Sequence, residues 1–277
     1  MRCFNNKVAA ITGAGSGIGQ QLAVLLAQQG CHVALSDINE QGLAQTLELL
    51  KSYPVTVSSQ VLDVSNREAV QQWAQASVQQ HGSVNMVFNN AGVALGSTVE
   101  GASYQELEWI VGINFWGVVY GTKEFLPFIK QTKDGHIINI SSLFGLTAQP
   151  TQSAYNATKF AVRGFTESLR QELDIENNGV SSLCVHPGGI RTNIAKAAKM
   201  NDSVKSLGLD PVKSSQQFDK LLRTPPEDAA QQILQAVLKN KRRLLIGNDA
   251  KVLDAFQRIF PTGYQRVSGI MTKLMNK

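Results

Sequence analysis

Residues 12–19 read Thr12-Gly13-Ala14-Gly15-Ser16-Gly17-Ile18-Gly19, and they connect a short apolar run, 7–12, to a longer amphipathic run, 17–29. Glycines let a backbone approach a ligand closely, and the first N–H groups of a helix are free to bind a pyrophosphate. A glycine-rich turn by itself also occurs as an ordinary tight turn. The position of this one, after a strand-like run and before a helical run, favours a dinucleotide-binding unit.

The same alternation of short apolar and longer amphipathic runs continues along the chain. Strand-like runs cover residues 7–12, 32–36, 55–62, 84–89, 136–141, 180–186 and 244–247, and helical runs cover 17–29, 41–51, 67–80, 104–130, 152–177 and 226–238. This order predicts an α/β fold: a single domain built on a Rossmann-like, doubly wound sheet of seven parallel strands with helices on both faces. A ligand is expected at the carboxyl ends of the strands.

The composition indicates a globular chain without a membrane span. Of the 277 residues, 43% are hydrophobic and 17% are charged, and the apolar runs are far shorter than the roughly 18 residues that cross a bilayer. The first residues lack the apolar core of a signal peptide, so a cytoplasmic location is expected. The net charge of +5 includes a basic cluster at 239–243, interpreted as a solvated helix end; without a broad basic face or a reader motif, nucleic-acid binding is rejected.

The cysteines and histidines are too scattered to predict a metal site. The chain contains Cys3, Cys31, Cys184, His32, His81, His136 and His186. Their spacing matches neither a set of metal ligands nor a redox pair. Cys31 and Cys184 are interpreted as buried packing residues. His186 ends a strand-like run and is interpreted as a hydrogen-bonded packing residue, not as an acid or base.

The second and third strand-like runs are each followed by an aspartate. Asp37 stands about 20 residues after the glycine turn, where a carboxylate can accept hydrogen bonds from the ribose hydroxyls of an adenosine. Its charge would repel a 2′-phosphate, and no Arg or Lys directly follows it, so NAD is expected in preference to NADP. Asp63, with Val64, is placed to flank the adenine. Either aspartate could instead cap the helix that follows it.

Ser142, Tyr155 and Lys159 form the predicted catalytic set. Tyr155 and Lys159 are four residues apart, so on a helix they share a face and an ammonium can lie beside a phenol. A free phenol has a pKa of about 10. A cation about 4 Å away contributes roughly 4 kcal/mol at an effective dielectric near 20, which is enough to lower that pKa towards neutrality. The set predicts hydride-transfer chemistry.

With these residues the chain resembles the classical short-chain dehydrogenases/reductases over roughly residues 7–192. The motifs that carry the resemblance are the glycine turn 12–19, Asp63, Asn89-Asn90-Ala91-Gly92, Asn114, Ser142, Tyr155-xxx-Lys159, Pro187-Gly188 and Thr192. The resemblance implies that Tyr155 is the general acid/base and that Ser142 orients the substrate oxygen. It also implies that Lys159 lowers the pKa of Tyr155 and binds the nicotinamide ribose. Asn114 would hold a water that connects the lysine to solvent.

The expected contacts to the NAD cofactor extend over the first two thirds of the chain. They are Gly13, Ser16, Gly17, Ile18, Gly19, Asp37, Asp63, Val64, Asn90, Ala91, Gly92, Tyr155, Lys159, Pro187, Gly188, Ile190 and Thr192. Three of the assignments have alternatives. Ser141 competes with Ser142 for the role of the strand-end hydroxyl, and Asn114 could only satisfy buried backbone groups. Thr192 could cap a helix, bind the nicotinamide carboxamide, or do both.

Residues 1–141 are expected to form mainly the NAD-binding half, 142–248 the catalytic and substrate half, and 249–277 a C-terminal tail. Within the second half, residues 193–224, called the flap below, carry no strand signal and are expected to form a helical cover over the site.

The stretches expected to line the substrate are mostly apolar and predict a small apolar secondary alcohol or ketone. They are Val93-Ala94-Leu95, Leu143-Phe144-Gly145-Leu146, and Ile194, Ala197, Met200, Leu207, Leu209 and Phe218 of the flap. These flap residues could also serve only to hold the flap to the body. Arg191, Lys196 or Lys199 could still reach an anionic group.

The tail has apolar residues at helical spacing, which predict a core or subunit contact, with contact to a membrane surface as the alternative. The family resemblance implies a homodimer or homotetramer, assembled through the helices of Asn114 and Tyr155. Three other functions compete with an NAD-dependent alcohol dehydrogenase. They are an NADPH-preferring carbonyl reductase, a non-catalytic NAD-binding sensor or scaffold, and a lyase or epimerase, which would need a larger substrate domain.

Overall fold

The first strand, β1 (Val8–Thr12), places alternate side chains on opposite faces of a sheet. The protein is described here by a computed structural model that covers residues 1, 3–194, 197–213, 216, 219 and 222–274. In it, Ala9 and Ile11 pack into one hydrophobic core and Val8 and Ala10 into another. Because both faces of the strand are covered, its sequence is a continuous apolar run.

The described residues contain nine strands, of which the seven of the main sheet follow the predicted pattern. They are β1 (Val8–Thr12), β2 (His32–Asp37), β3 (Val57–Val61), β4 (Met86–Asn89), β5 (Leu95–Gly96), β6 (Gly135–Ile140), β7 (Val180–Pro187), β8 (Lys199–Met200) and β9 (Arg243–Ile246). Seven of them form a parallel sheet in the order β3-β2-β1-β4-β6-β7-β9. The predicted doubly wound sheet in a single domain is confirmed. The order in which strands are added reverses between β1 and β4, and a crevice at the carboxyl ends of the strands is expected at such a point.

Helices cover both faces of the sheet. They are α1 (Gly17–Gln28), α2 (Glu40–Leu50), α3 (Arg67–His81), α4 (Tyr104–Val111), α5 (Gly117–Gln131), α6 (Ser153–Glu176), α7 (Pro226–Leu238), α8 (Asn248–Ile259) and α9 (Gly263–Leu274). The apolar residues of α1, α2 and α7 pack into the core on one face, and those of α3, α5 and α6 pack into the core on the other. This arrangement leaves the strand ends free to carry the site.

A π-helical turn, Gly112–Trp116, joins α4 to α5 within what the sequence predicts as one long helix. A π turn widens the helix by one residue and often marks a functional position. Asn114 lies in this turn and is fully buried. The predicted helix is therefore present, but it contains a π turn that its sequence does not predict.

The flap differs from its prediction. We expected no strand in it, yet β8 pairs with β5, and the backbone N–H groups of Lys199 and Asn201 donate to the carbonyls of Ala94 and Gly96. A short helix of the 3₁₀ type, Asp202–Leu207, follows. Such a two-residue strand pair depends on the approach of two distant segments and leaves no periodic pattern in the sequence. Among the residues that the structure describes, no helix combines the length and apolar character needed to cross a membrane.

Candidate active site

The glycine turn forms a tight passage from β1 into α1. Gly13 has φ +65° and Gly17 has φ +56°, a backbone region that residues with a Cβ seldom adopt. A Cβ on Gly19 would lie 2.1 Å from the carbonyl oxygen of Gly13, so only glycine fits there. Ser16 occupies the N-cap of α1, and its side chain makes no capping hydrogen bond. The start of α1 therefore offers backbone N–H groups and a hydroxyl to an anionic group.

Asn90 and Thr12 tie this turn to the end of β4. The Asn90 Nδ2 donates to the carbonyls of Thr12 (3.0 Å) and Gly13 (3.1 Å), and Thr12 Oγ1 accepts from the backbone N–H groups of Asn90 and Ala91, both at 3.0 Å. The amide of Asn90 thus holds the glycine turn to the end of β4. Its contact with a cofactor remains a prediction.

Asp37 is directed at the glycine turn. Its Oδ2 accepts a hydrogen bond from the Gly15 N–H at 2.8 Å, and its Oδ1 accepts from the Asn39 N–H at 2.8 Å. The cap of α2 is Asn39, whose side chain accepts from the Gly42 N–H. The alternative in which Asp37 caps that helix is therefore excluded. Its carboxylate lies beside the glycine turn, and its contact with an adenosine ribose remains a prediction.

Asp63 and Val64 follow β3 at the same edge of the sheet. The Asp63 Oδ1 accepts from the N–H and the hydroxyl of Ser65 at 2.9 and 2.8 Å, while Asn66 caps α3. Val64 is buried against Gly117, the first residue of α5. Asp63 is thus not the helix cap, and its role beside the adenine remains a prediction.

The predicted catalytic residues come together at the carboxyl end of β6. Tyr155 and Lys159 lie on one face of α6, with the lysine Nζ 5.6 Å from the centroid of the tyrosine ring. The Ser142 side chain hydrogen-bonds to Tyr155 and also accepts from the Phe144 N–H at 3.1 Å. Lys159 Nζ donates to the carbonyl of Ile140 at 3.0 Å. A phenol, a hydroxyl and an ammonium therefore meet at one point.

The electrostatics of this cluster differ in one respect from the expectation. Burial raises the pKa of the Tyr155 phenol, and the hydrogen bond from Ser142 only partly offsets this. Burial also lowers the pKa of the Lys159 ammonium to about 8. The net pKa of Tyr155 is thus raised, because the cost of removing the phenol from water exceeds the stabilisation of the tyrosinate. A lowering contribution from Lys159 remains a prediction.

Asn114 and Gly92 complete the surroundings of Lys159. The Asn114 Oδ1 accepts from the Val93 N–H at 2.8 Å, and its Nδ2 donates to the Val93 carbonyl at 2.9 Å. This matches the alternative in which the side chain satisfies buried backbone groups, so the predicted water-holding role stays a prediction. A Cβ on Gly92 would lie 3.3 Å from Asn114 Oδ1 and 3.4 Å from Lys159 Nζ, so glycine keeps the space between them open.

The two neighbours of Ser142 have structural roles. Ser141 donates its hydroxyl to the backbone carbonyl of Lys159 at 2.8 Å, which leaves Ser142 as the hydroxyl at Tyr155. His186 is fully buried, its Nδ1 lies 3.0 Å from the carbonyl oxygen of Ser142, and burial lowers its pKa to about 4. The interpretation of His186 as a hydrogen-bonded packing residue is confirmed. It also supports the backbone of the catalytic serine.

The turn after β7 carries the remaining predicted cofactor residues, and one residue that we did not predict holds it. Asp249, in the first turn of α8, accepts a hydrogen bond from the Gly189 N–H at 2.7 Å. A Cβ on Gly188 would lie 2.3 Å from its carboxylate. The methyl group of Thr192 lies beside Gly17, where a Cβ would come within 3.0 Å of it. The turn therefore closes over the glycine turn, with the tail as its support.

An apolar cluster lies next to the catalytic residues. Tyr155 packs with Leu95, Ile110 and Ala154, and the ring of Phe144 meets the Tyr155 ring edge to face with centroids 6.1 Å apart. Val93 and Ala94 pack against the same cluster, as predicted, and Leu143 and Leu146 are buried. Leu207 is exposed and does not line it, and Phe218 and Lys196 lie outside the described residues.

Lys199 lies next to this cluster, because the Trp109 side chain that its ammonium covers packs against the cluster. The ammonium of Lys199 lies over the ring of Trp109, 3.7 Å from its centroid, so this lysine is held in a cation–π contact. Within the described part of the chain, no three His, Cys, Asp or Glu side chains form a group that could hold a metal ion.

The sequence is similar to a known protein family and to known oxidoreductases. A family model described as short chain dehydrogenase matches residues 7–203. The chain is 47% identical over 268 residues to "Putative oxidoreductase SadH" of Mycobacterium tuberculosis, an alignment that covers 96% of this chain and 95% of that protein.

Solved structures share the fold over nearly the whole chain. A short-chain dehydrogenase/reductase of Burkholderia phymatum in complex with NAD has a TM-score of 0.86 at 29% identity, covering 96% of this chain and 97% of that one. An alcohol dehydrogenase of the archaeon Thermococcus sibiricus, complexed with 5-hydroxy-NADP, has a TM-score of 0.71 at 27% identity, covering 87% and 95%.

Proposed function

Because this chain belongs to the short-chain dehydrogenase family of oxidoreductases, we propose that it transfers a hydride between NAD(H) and a small apolar secondary alcohol or ketone. Tyr155 is the general acid/base. The observation that carries the proposal is the buried cluster of Ser142, Tyr155 and Lys159 beside an apolar surface. A protein that only sensed or carried NAD would need none of these three side chains.

The cofactor is NAD, and the chain has a place for each part of it. The open start of α1, with Ser16 and the glycine turn, would hold the pyrophosphate. Asp37 would accept the ribose hydroxyls. The turn at Pro187-Gly188 and Thr192 would lie over the nicotinamide, and the NAD complex of the Burkholderia phymatum relative supports this choice.

In alcohol oxidation the chain itself manages the proton. Bound NAD supplies the hydride acceptor. Ser142 orients the substrate hydroxyl by a hydrogen bond, and the Tyr155 oxygen takes the hydroxyl proton as the carbon loses its hydride. Lys159 carries its charge below a pKa of about 8 and stabilises the tyrosinate from the same helix face. Carbonyl reduction follows the same path in reverse, with the phenol as proton donor.

The substrate is apolar, since the groups beside Tyr155 are Leu95, Ala154 and Phe144. A site of this kind stabilises a neutral aliphatic or aromatic group by excluding water from it. The only lysine of the described flap near this surface, Lys199, has its ammonium against Trp109. The site therefore favours neutral ketones over keto acids.

An NADPH-preferring carbonyl reductase is the second candidate. The complex of the Thermococcus sibiricus relative with 5-hydroxy-NADP favours it, and the Asp37 carboxylate opposes it.

A tetrameric or dimeric assembly is part of the proposal, because Trp116, near Asn114, and Phe160, on α6, expose large parts of their rings. Residues 1–141 serve mainly the cofactor and 142–248 the substrate.

The test is turnover measured at 340 nm with NAD or NADP across neutral secondary alcohols of increasing length and a set of hydroxy acids. Tyr155→Phe should lower kcat at least about 100-fold, the lower range of the contribution of a general acid/base. Tyr264→Phe is the matched control. Tyr264 is also buried, but it lies on α9 and its hydroxyl accepts from the Ala148 N–H.

The possible results distinguish the enzyme from a non-catalytic NAD-binding protein. Loss of turnover in Tyr155→Phe with NAD affinity unchanged supports the proposal. Full activity of Tyr155→Phe contradicts the assignment of the acid/base. NAD binding by the wild-type protein without turnover on any member of the panel favours the sensor.

A further inference from the structure

The tail helices α8 and α9 expose an apolar surface, which we call the tail surface. Its residues are Val252, Ile259, Phe260, Val267, Ile270 and Met271, each between 47% and 69% exposed. On α8, Val252 and Ile259 are seven residues apart and so share one side of the helix. That side is opposite Ala250 and Asp254, which are buried against the body. The apolar side is therefore turned outward.

Cations flank this surface on the same side of each helix. Lys251 and Arg258 are seven residues apart on α8, and Arg266 and Lys273 are seven apart on α9, and all four are exposed. On α8, Lys251 and Arg258 each immediately precede an exposed apolar residue. On α9, Arg266 immediately precedes Val267, and Lys273 lies two residues beyond Met271. At about 100° per residue, one row of cations therefore runs along the apolar row.

Carboxylates are scarce in this part of the chain. Residues 249–277 contain two, Asp249 and Asp254, against five cations. Asp249 bonds to the Gly189 N–H, and Asp254 is buried and pairs with Arg258 at 2.9 Å. In a two-fold interface the same patch would meet itself, so Lys251, Arg266 and Lys273, which make no ion pair among the described residues, would face the same cations of the other copy. The charge pattern thus opposes a second copy as the occupant and favours an anionic one.

The tail surface is held rigidly by the body. The Tyr264 hydroxyl accepts a hydrogen bond from the Ala148 N–H at 3.1 Å, and Ser268 bonds to Gln149. With the Asp249 contact to Gly189, these bonds fix both helices before any partner binds. A preformed amphipathic surface loses less conformational freedom on binding than a segment that must first fold.

We propose that the tail surface docks on an anionic lipid bilayer, with the apolar side chains in the headgroup boundary and the cations on lipid phosphates. Helices with an apolar side bordered by Lys and Arg lie in the plane of such interfaces. The docking is peripheral and reversible. It rests on the exposed residues of the tail and does not depend on which alcohol or ketone is the substrate.

The experiment is flotation of the full chain with vesicles of phosphatidylcholine alone or with 30% phosphatidylglycerol. Binding should require the anionic lipid and should weaken as the salt concentration rises. Arg266→Gln with Lys273→Gln should lower the affinity about thirtyfold, since each cation near an anionic surface strengthens binding about fivefold. The matched control is Lys239→Gln with Lys241→Gln, which removes the same charge from an exposed site outside the tail.

A second variant tests the apolar part. Ile270→Ser with Met271→Ser should lower vesicle binding about tenfold or more, with unchanged thermal stability because both side chains are exposed. Absence of binding to anionic vesicles overturns the proposal, and so does an equal loss in the control pair. A dimer by analytical ultracentrifugation that the serine variant dissociates, without vesicle binding, would assign the surface to a second copy. Turnover on the alcohol panel is measured in parallel and reports on the enzyme separately.

Discussion

The hydroxyl of Ser142 bonds to Tyr155 and so opposes the rise in phenol pKa that burial causes. Replacing Ser142 with Ala removes this stabilisation of the tyrosinate, so the pKa of Tyr155 should rise further. Since oxidation needs the tyrosinate, the pH profile of kcat/KM for alcohol oxidation should move to higher pH. At pH 8 the loss should be about 100-fold, as for removal of a hydrogen-bond donor to a reacting oxygen.

The neighbouring serine provides the control for this pH profile. Ser141→Ala loses a bond to the Lys159 carbonyl and none to the phenol, so its midpoint should stay at the wild-type pH. If Ser142→Ala changes the rate equally at all pH values, the hydroxyl only positions the substrate.

Asp37 allows a test of cofactor choice that preserves the fold of the turn. In Asp37→Asn the amide oxygen can still accept from the Gly15 N–H, while the negative charge beside the ribose is removed. The ratio of kcat/KM for NADP to that for NAD should rise at least about tenfold, equivalent to about 1.4 kcal/mol. Glu48→Gln, at the far end of α2, should leave the ratio unchanged. An unchanged ratio in Asp37→Asn would place the carboxylate away from the ribose.

The sequence predicts the positions of the catalytic side chains correctly, but it does not predict how burial changes their pKa values. The sequence identifies Tyr155 and Lys159 because one helical turn brings them together, and Ser142 because it lies thirteen residues before Tyr155. The direction of the Tyr155 pKa depends on burial by segments from all over the chain, which spacing does not reveal. Asp249 was missed for the same reason, since its partner Gly189 is 60 residues away.

Among the elements, the flap is held to the body by contacts that substitution can remove. Asn201 Nδ2 donates to the Glu106 carboxylate and to the Gly101 carbonyl, all at 3.2 Å. Asn201→Ala should raise the KM for the substrate about three- to tenfold with a smaller change in kcat, because it removes exposed hydrogen bonds whose net contribution to holding the flap is about 0.5–1.5 kcal/mol. Steady-state kinetics with saturating NAD measures both constants.

Ser206→Ala is the control for the flap. Ser206 lies in the same 3₁₀ helix and bonds only within the flap, to the Ser203 carbonyl. Equal KM values for Asn201→Ala and wild type would show that the flap is held by its strand pair alone. Faster cleavage of Asn201→Ala by a protease within the flap would support the assigned contact.

The boundaries of the sheet strands agree with the prediction because a buried parallel strand is a continuous apolar run and the turns between runs contain Gly, Asn or Asp. The pair of β5 and β8 could not be predicted in this way. Each has two residues, and one of them is Gly96, so neither has a period to detect. Their pairing follows from tertiary approach.

Two buried histidines make the free energy of unfolding of the protein depend on pH. Burial lowers the pKa of His136 and His186 from 6.5 to about 4. The unfolded chain therefore binds these protons more tightly, so stability should fall as the pH drops below 6.5, and the loss should be complete near pH 4. Between pH 7 and 5 each histidine should cost about 2 kcal/mol, measured by urea unfolding at the two pH values.

His136→Gln isolates one of the two contributions. The variant is less stable at every pH if its packing suffers, but its drop between pH 7 and 5 should be about 2 kcal/mol smaller than that of the wild type. His186 and His81, whose pKa values burial also lowers, keep their contributions. An unchanged drop would assign the acid sensitivity to other groups. Carboxylates with lowered pKa values, such as Asp134 and Glu167, act at lower pH and do not contribute within this window.

The overall architecture could be predicted because one consistent βαβ order leaves few arrangements of the sheet. The support that the tail gives to the turn after β7 could not, since the tail helices contribute no strand and the family model ends at residue 203.

The π turn at Gly112–Trp116 has a consequence for how chain length can vary in related proteins. It contains one residue more than an α-helix would need over the same rise. Deletion of a single residue there would restore a regular helix and leave α4 and α5 in about the same relative rotation, because the wide turn takes up the extra residue. Ile110 and Phe125 could then both stay buried, but the bulge that presents Asn114 to Val93 would be lost. A single-residue gap in this segment should therefore keep the fold at the cost of the Asn114 contact, whereas a gap within α4 or α5 would turn one part of the helix by roughly 100° against the other.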